Sequence, residues 1–205
     1  TITGQLAWST EGDYLVSTTP EQIVVQESSS GRVLTSIRQP LVWSLAWRPE
    51  FDQFATGLTD ENGDVVKLWD ATTGNQISAL SDFPDRVVAL DWDPTGQYLV
   101  AGTRSGSVVI YDMANSQRIQ EWQIPNQSIQ SVAWNPRGND LAISSLVQPF
   151  LTLWDTTSYD LIPTDSLPNF TGKIAWQSNG QHLAGRLDTG CVGIWNLIDD
   201  ELFAL

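Results

Sequence analysis

The side chains that carry chemistry are few in this chain: one histidine, His182, and one cysteine, Cys191. A nucleophile needs a base beside it, so a Cys–His or Ser–His–acid set could be assembled only around His182. That residue falls in Gln181-His-Leu-Ala-Gly185, at a position that four similar segments fill with Tyr14, Gln53, Tyr98 and Asp140. A position taken by unrelated polar side chains reads as a solvent-facing strand site. Cys191 corresponds to Gln22, Val65, Ser107 and Phe150 and reads as a half-buried small residue. The densest set of hard oxygen ligands is Asp60-Glu-Asn-Gly-Asp64. A calcium loop would place its glycine later and add a bidentate glutamate, so the run reads as an acidic hairpin tip. Zinc-type spacing and phosphate-cradling glycine loops are missing from the sequence. Paired-carboxylate catalysis has 24 acids to draw on but no spacing that singles out a pair. The expectation is a protein that is not an enzyme and uses no cofactor or metal.

A chain of 205 residues is enough for a real core, and 41% apolar content with 10 tryptophans excludes a disordered acidic tail. The formal charge of −14 disfavours phosphate backbones, so nucleic acid is an unexpected partner and cationic or neutral ones fit better. One cysteine forms no intrachain disulfide, which rules out a disulfide scaffold and fits a reducing compartment; the expected location is cytoplasmic. No apolar run approaches the roughly 20 residues of a spanning helix, so membrane insertion is not expected. The chain starts at Thr1 rather than Met, as a piece cut from something longer would.

The elements that position these residues follow from a repeat. Segments beginning at Leu6, Leu45, Leu90, Val132 and Ile174 align without gaps and carry Trp8, Trp47, Trp92, Trp134 and Trp176. A second series follows in step: Ile23-Val-Val-Gln-Glu27, Val66-Lys-Leu-Trp-Asp70, Val108-Val-Ile-Tyr-Asp112, Leu151-Thr-Leu-Trp-Asp155 and Val192-Gly-Ile-Trp-Asn196. Each unit of about forty residues holds four short runs rich in Val, Ile, Leu, Thr and Trp. Turn pairs such as Asn62-Gly63 and Ser105-Gly106 separate them. Each unit therefore reads as a four-stranded antiparallel meander. A lone sheet apolar on both faces must stack on its neighbour, and repetition about an axis gives a β-propeller.

The W-x-P-x-G step after the first strand and the Trp-Asp pairs Trp69-Asp70 and Trp154-Asp155 resemble the WD-repeat propeller family over essentially the whole chain. The resemblance implies an all-β fold with five blades, about residues 1–39, 40–84, 85–126, 127–168 and 169–205, in a single domain or segment. Family rings usually hold seven blades. The expectation is thus part of a seven-bladed ring, completed by further blades of the same polypeptide. Pairing with a second copy of the chain and a closed five-blade ring are the other routes. The family's Gly-His pair and its hydrogen-bond network are missing, since the lone histidine lies in a second strand.

The resemblance also implies a docking face built from the loops that enter each first strand. The position two before the repeat's aliphatic residue is Gly4, Trp43, Val88, Gln130 and Gly172, and two earlier again stand Ile2, Leu41, Arg86, Ser128 and Phe170. Trp43 lies outside both tryptophan series, and Trp and Arg are the residue types richest in interface energy. Trp43, Leu41, Arg86, Val88, Gln130, Ser128 and Phe170 are therefore the candidate partner-binding residues, with Arg104, Gln148 and Arg186 on neighbouring hairpins. Trp122, also outside the series, is expected to pack between blades. The expected function is a non-catalytic scaffold that recruits proteins or peptides. The alternative is a propeller that binds a small ligand or substrate in its channel, within a larger regulatory or enzymatic polypeptide; carboxylates along the first strands would favour it.

Overall fold

The computed structural model describes residues 4–124, 128–148, 150–164 and 167–204, and in these residues every regular element is a strand. The first sheet contains β1 (Leu6–Trp8), β2 (Tyr14–Thr18), β3 (Gln22–Glu27) and β4 (Val33–Arg38). The second contains β5 (Val42–Arg48), β6 (Gln53–Asp60), β7 (Gly63–Asp70) and β8 (Gln76–Leu80). The third contains β9 (Val87–Trp92), β10 (Tyr98–Thr103), β11 (Ser107–Asp112) and β12 (Gln117–Gln123). After β13 (Ile129–Trp134), β14 (Asp140–Ser145) and β15 (Leu151–Asp155), the last sheet runs through β16 (Phe170–Trp176), β17 (His182–Leu187), β18 (Val192–Asn196) and β19 (Glu201–Ala204). Each sheet is an antiparallel meander in chain order.

The fourth sheet departs from the expected four strands. Among the described residues it has three, plus an isolated bridge between Trp154 and Leu161 supported by Ile162 N–H donating to Leu153 O at 2.8 Å. Pro163 follows at once and has no N–H to extend the ladder.

The inner strands β1, β5, β9, β13 and β16 lie beside one another in that order, so the sheets stack face to face as propeller blades. Buried residues form a core in each gap: Val16, Ile23 and Val25 meet Val42, Phe54 and Leu58 between the first two blades. Ala101 and Val109 join Leu68 and Ala55 between the next two. The outward face of β1 leaves Leu6 and Trp8 at 69% and 58% exposure.

Both tryptophan series have a physical role. First-strand indoles tie a blade to the one before it: Trp92 Nε1 donates to Ala46 O at 3.4 Å and Trp176 Nε1 to Ala133 O at 3.0 Å. Third-strand indoles bond within the blade, Trp69 to Thr56 Oγ1 at 2.8 Å, Trp154 to Thr152 Oγ1 at 3.0 Å and Trp195 to Asp200 Oδ1 at 3.0 Å. The following acidic residue caps the next turn. Asp70 Oδ1 accepts from the backbone N–H and hydroxyl of both Thr72 and Thr73, and Asp155 Oδ1 accepts from Thr157 and Ser158 N–H. These bonds hold both carboxyls below their usual range, the Thr72 hydroxyl first for Asp70 and the Thr157 N–H first for Asp155. Trp122 packs between blades as expected: its ring lies 4.9 Å from Trp154 and 6.1 Å from Tyr159, and its Nε1 donates to Tyr159 O at 3.3 Å.

Two minor expectations are corrected. His182 and its counterparts Tyr14, Gln53, Tyr98 and Asp140 are half-buried, since this strand position faces the next blade, as Tyr14 does in stacking 5.9 Å from Trp47. Cys191 is exposed, because it precedes β18 in the hairpin.

Candidate docking face

In an antiparallel blade the loop into the first strand and the hairpin between the second and third strands lie at the same end. One structural device at that end recurs. On β5 the ladder pairs Val42 with Leu58 and then Ser44 with Gly57, so Trp43 is left over as the extra residue of a β-bulge. Val88 on β9 and Gln130 on β13 are the extra residues of the same bulge. A bulge bends the strand and re-aims the unpaired side chain. The position two before the aliphatic residue is therefore freed from the ladder. The residue before it, Val42, Val87 or Ile129, turns inward and is fully buried.

Trp43 is held by two contacts. Its Nε1 donates to Thr59 Oγ1 at 2.8 Å, and the Thr59 hydroxyl in turn donates to Asp64 Oδ1. The Arg86 guanidinium carbon lies 4.4 Å from the indole centroid, a cation–π distance. The candidate from the third blade thus caps the candidate from the second. Leu41, exposed and with a positive φ of 60°, accepts Thr59 N–H on its carbonyl at 3.2 Å. Arg86 N–H donates to Asp85 Oδ1 at 2.7 Å, and Arg86 O accepts from Arg104 N–H at 2.9 Å. Trp43, Leu41, Arg86 and Arg104 are thereby brought into one patch. Thr59, which anchors it, gave no signal in sequence.

The other candidates divide. Val88 is half-buried, and Gln130 Nε2 donates to Ser128 Oγ at 3.4 Å, so these two polar residues form a smaller site one blade on. Phe170 is corrected: it is fully buried in the last core cluster, against Gly185 and Gly193, and cannot face a partner. On β16 the ladder jumps from Phe170 to Ile174, one residue more than in the other blades, so Phe170 takes the place of Val42 rather than of Leu41. Gly172, at a φ of 87°, lies within this longer bulge. Arg186 is exposed at the end of β17. Ile2 lies outside the described residues.

The acidic hairpin is internally engaged. Asp60 forms a 2.8 Å ion pair with Lys67 and accepts Asn62 N–H, and the Lys67 bond is the main reason its carboxyl sits below the usual range. Asp64 is taken by Thr59. Among the described residues no three metal-ligating side chains converge.

The first strands carry a single carboxylate, Asp91, where the other blades have Ala7, Ala46, Ala133 and Ala175. Its Oδ2 accepts Trp134 N–H across the blade gap at 2.7 Å. Burial pushes its pKa up to about 6, opposed by the Trp134 and Trp92 N–H groups and by Lys173. A groove of about 440 Å³ runs past Asp91, Ser131 and Lys173.

Stacked antiparallel sheets with their first strands around one axis define a β-propeller arc. The family model described as the anaphase-promoting complex subunit 4 WD40 domain matches residues 81–137. The WD repeat-containing protein VIP3 of Arabidopsis thaliana is 28% identical over 168 residues, 74% of this chain and 52% of that protein. The WD repeat-containing protein AAC3 of Dictyostelium discoideum is 22% identical over 76% of this chain and 33% of its own length. The anaphase-promoting complex subunit cdc20 of the same organism is 29% identical over 66% and 27%. The chain is thus similar to WD-repeat proteins over about two thirds or more of its length, and it spans about half or less of these relatives.

Proposed function

We propose that the chain is a non-catalytic interaction scaffold that recruits other proteins or peptides on the loop end of its blades. The observation that carries this reading is the Trp43–Arg86 pair, a rigid aromatic and an arginine from adjacent blades on a face free of regular ladder bonding. Relatives named as subunits or cofactors of the anaphase-promoting complex agree with assembly into a larger complex. The ring is completed by further blades of the same polypeptide or by a second copy of the chain, in the cytoplasm, where one exposed free thiol is compatible with the surroundings. The channel-ligand alternative has only Asp91 in its support, because every other first strand lacks a carboxylate.

Affinity capture with wild type and Trp43→Ala side by side tests the proposal. Proteins retained by the wild type and lost by the variant are the expected result. An identical retained set for both proteins overturns the assignment to this face.

A further inference from the structure

We infer that the Trp43–Arg86 patch recognises a carboxylate side chain in an acidic peptide segment; this rests on the docking reading above. Ten basic residues serve the whole chain, and several are already committed. Lys67 pairs with Asp60, Arg32 with Glu27 and Arg118 with Glu121, while Arg48 donates to Gln53 Oε1 and Gly96 O. Arg86 and Arg104 are different. Their backbones are hydrogen-bonded to each other, both lie at the loop end, and among the described residues neither guanidinium has an acceptor within hydrogen-bond distance.

The neighbouring acids are spent elsewhere: one Asp85 oxygen takes the Arg86 N–H, and Asp64 holds the Thr59 hydroxyl behind Trp43. The Arg86 guanidinium carbon packs 4.4 Å from the indole centroid, and the guanidinium N–H donors, left without an acceptor among the described residues, form a planar fork whose spacing matches the two oxygens of a carboxylate. Stacking also pre-orders the arginine, so less rotamer freedom is lost on binding. Leu41, 40% exposed, supplies apolar contact beside the fork. The chain's charge of −14 selects between anions. A dianionic phosphate meets about twice the repulsion of a carboxylate from the acids around the patch, whereas screening over about 8 Å at physiological ionic strength lets the local arginines govern a single charge.

A random dodecapeptide display library selected on the full chain tests this, followed by titration of the recovered peptides. The expected peptides carry an Asp or Glu whose change to Asn or Gln lowers affinity at least tenfold. Arg86→Gln gives the same loss, and the two changes together give no more than either alone. Arg86→Lys, which keeps the charge but not the fork, is expected to recover only part, and near-UV circular dichroism verifies the fold of each variant. Peptides that need Trp43 but ignore Arg86→Gln and Arg104→Gln overturn the carboxylate inference and leave the docking reading standing. Peptides indifferent to Trp43→Ala as well, or an empty selection, overturn both. A phosphoserine analogue that binds tenfold tighter than the glutamate peptide overturns the choice of anion.

Discussion

Asp91 Oδ2 accepts the backbone N–H of Trp134 at 2.7 Å, which joins the first strands of the third and fourth blades through a side chain. The carboxylate is half-buried beside the groove and strongly desolvated, with Lys173 and Asp93 as its charged neighbours. Its folded pKa of about 6 lies above the ordinary 3.8, so the folded state binds its proton more tightly than the unfolded chain does. This group's contribution to stability is full below about pH 4 and is lost as pH rises towards 6. Asp91→Asn keeps an acceptor for Trp134 and removes the buried charge. The variant should be more stable than wild type at pH 7.5, by on the order of 1–3 kcal/mol, with the gap closing near pH 4. Urea denaturation at both pH values measures it; a variant that is less stable at pH 7.5 rejects the desolvation account.

Trp43 makes its contacts with Thr59 and Arg86 at the loop end rather than in the blade cores. Trp43→Ala should therefore weaken partner binding by at least ~1 kcal/mol, about fivefold, while the thermal midpoint moves by only a few degrees. Calorimetric titration of a captured partner against both proteins, with melting curves alongside, separates the two effects. A large fall in melting temperature with unchanged affinity would show that the indole is structural.

Much of this architecture was legible in the sequence because the repeat is carried by side chains with fixed jobs. Trp92 and Trp176 recur because each must reach a carbonyl of the preceding blade, and Asp70 and Asp155 because each must cap a turn. Trp43 and Arg86 were legible as individuals by residue type and position. Their stacking was not, since it links residues 43 positions apart on different blades. Phe170 was misplaced for a definite reason: counting back from Ile174 assumes a bulge of constant length, and β16 holds one residue more. Among the described residues the fourth blade has only a bridge at Leu161 in place of a fourth strand, and Pro163, with no N–H to extend that pairing, stood in the sequence. Asp91 could have been found by noticing one acid in a column of alanines.

The turn-capping aspartates make a separable contribution. Asp70 Oδ1 collects hydrogen bonds from the N–H and hydroxyl of both Thr72 and Thr73. Asp70→Ala is expected to cost about 1–2 kcal/mol. Since its folded carboxyl lies below the ordinary 3.8, the stabilisation is present above that pH and is lost as the pH falls through the folded value. The difference between Asp70→Ala and wild type should thus shrink in strong acid, the opposite trend to Asp91. Denaturation midpoints at pH 7 and below pH 3 distinguish the two, and a penalty that persists undiminished in acid contradicts the capping role.

Gly102 on β10 tests how tightly the blades interlock. A methyl group there would sit 2.6 Å from Ile129 Cγ2 and 3.3 Å from Ile129 Cβ, the buried residue beside the bulge that frees Gln130. Ile129 is β-branched and fully buried, so it has little rotamer freedom with which to move away. Gly102→Ala should cost about 1–3 kcal/mol by overpacking. The strain should also reach the loop end, because displacing Ile129 disturbs the bulge on which Gln130 and Ser128 are held. A second change, Ile129→Ala, removes the Cγ2 that the added methyl group would meet, so the double variant should lose less than the sum of the two single losses. Melting temperatures of the two single variants and the double variant decide the matter: strictly additive losses would mean that the added methyl group and Ile129 do not meet.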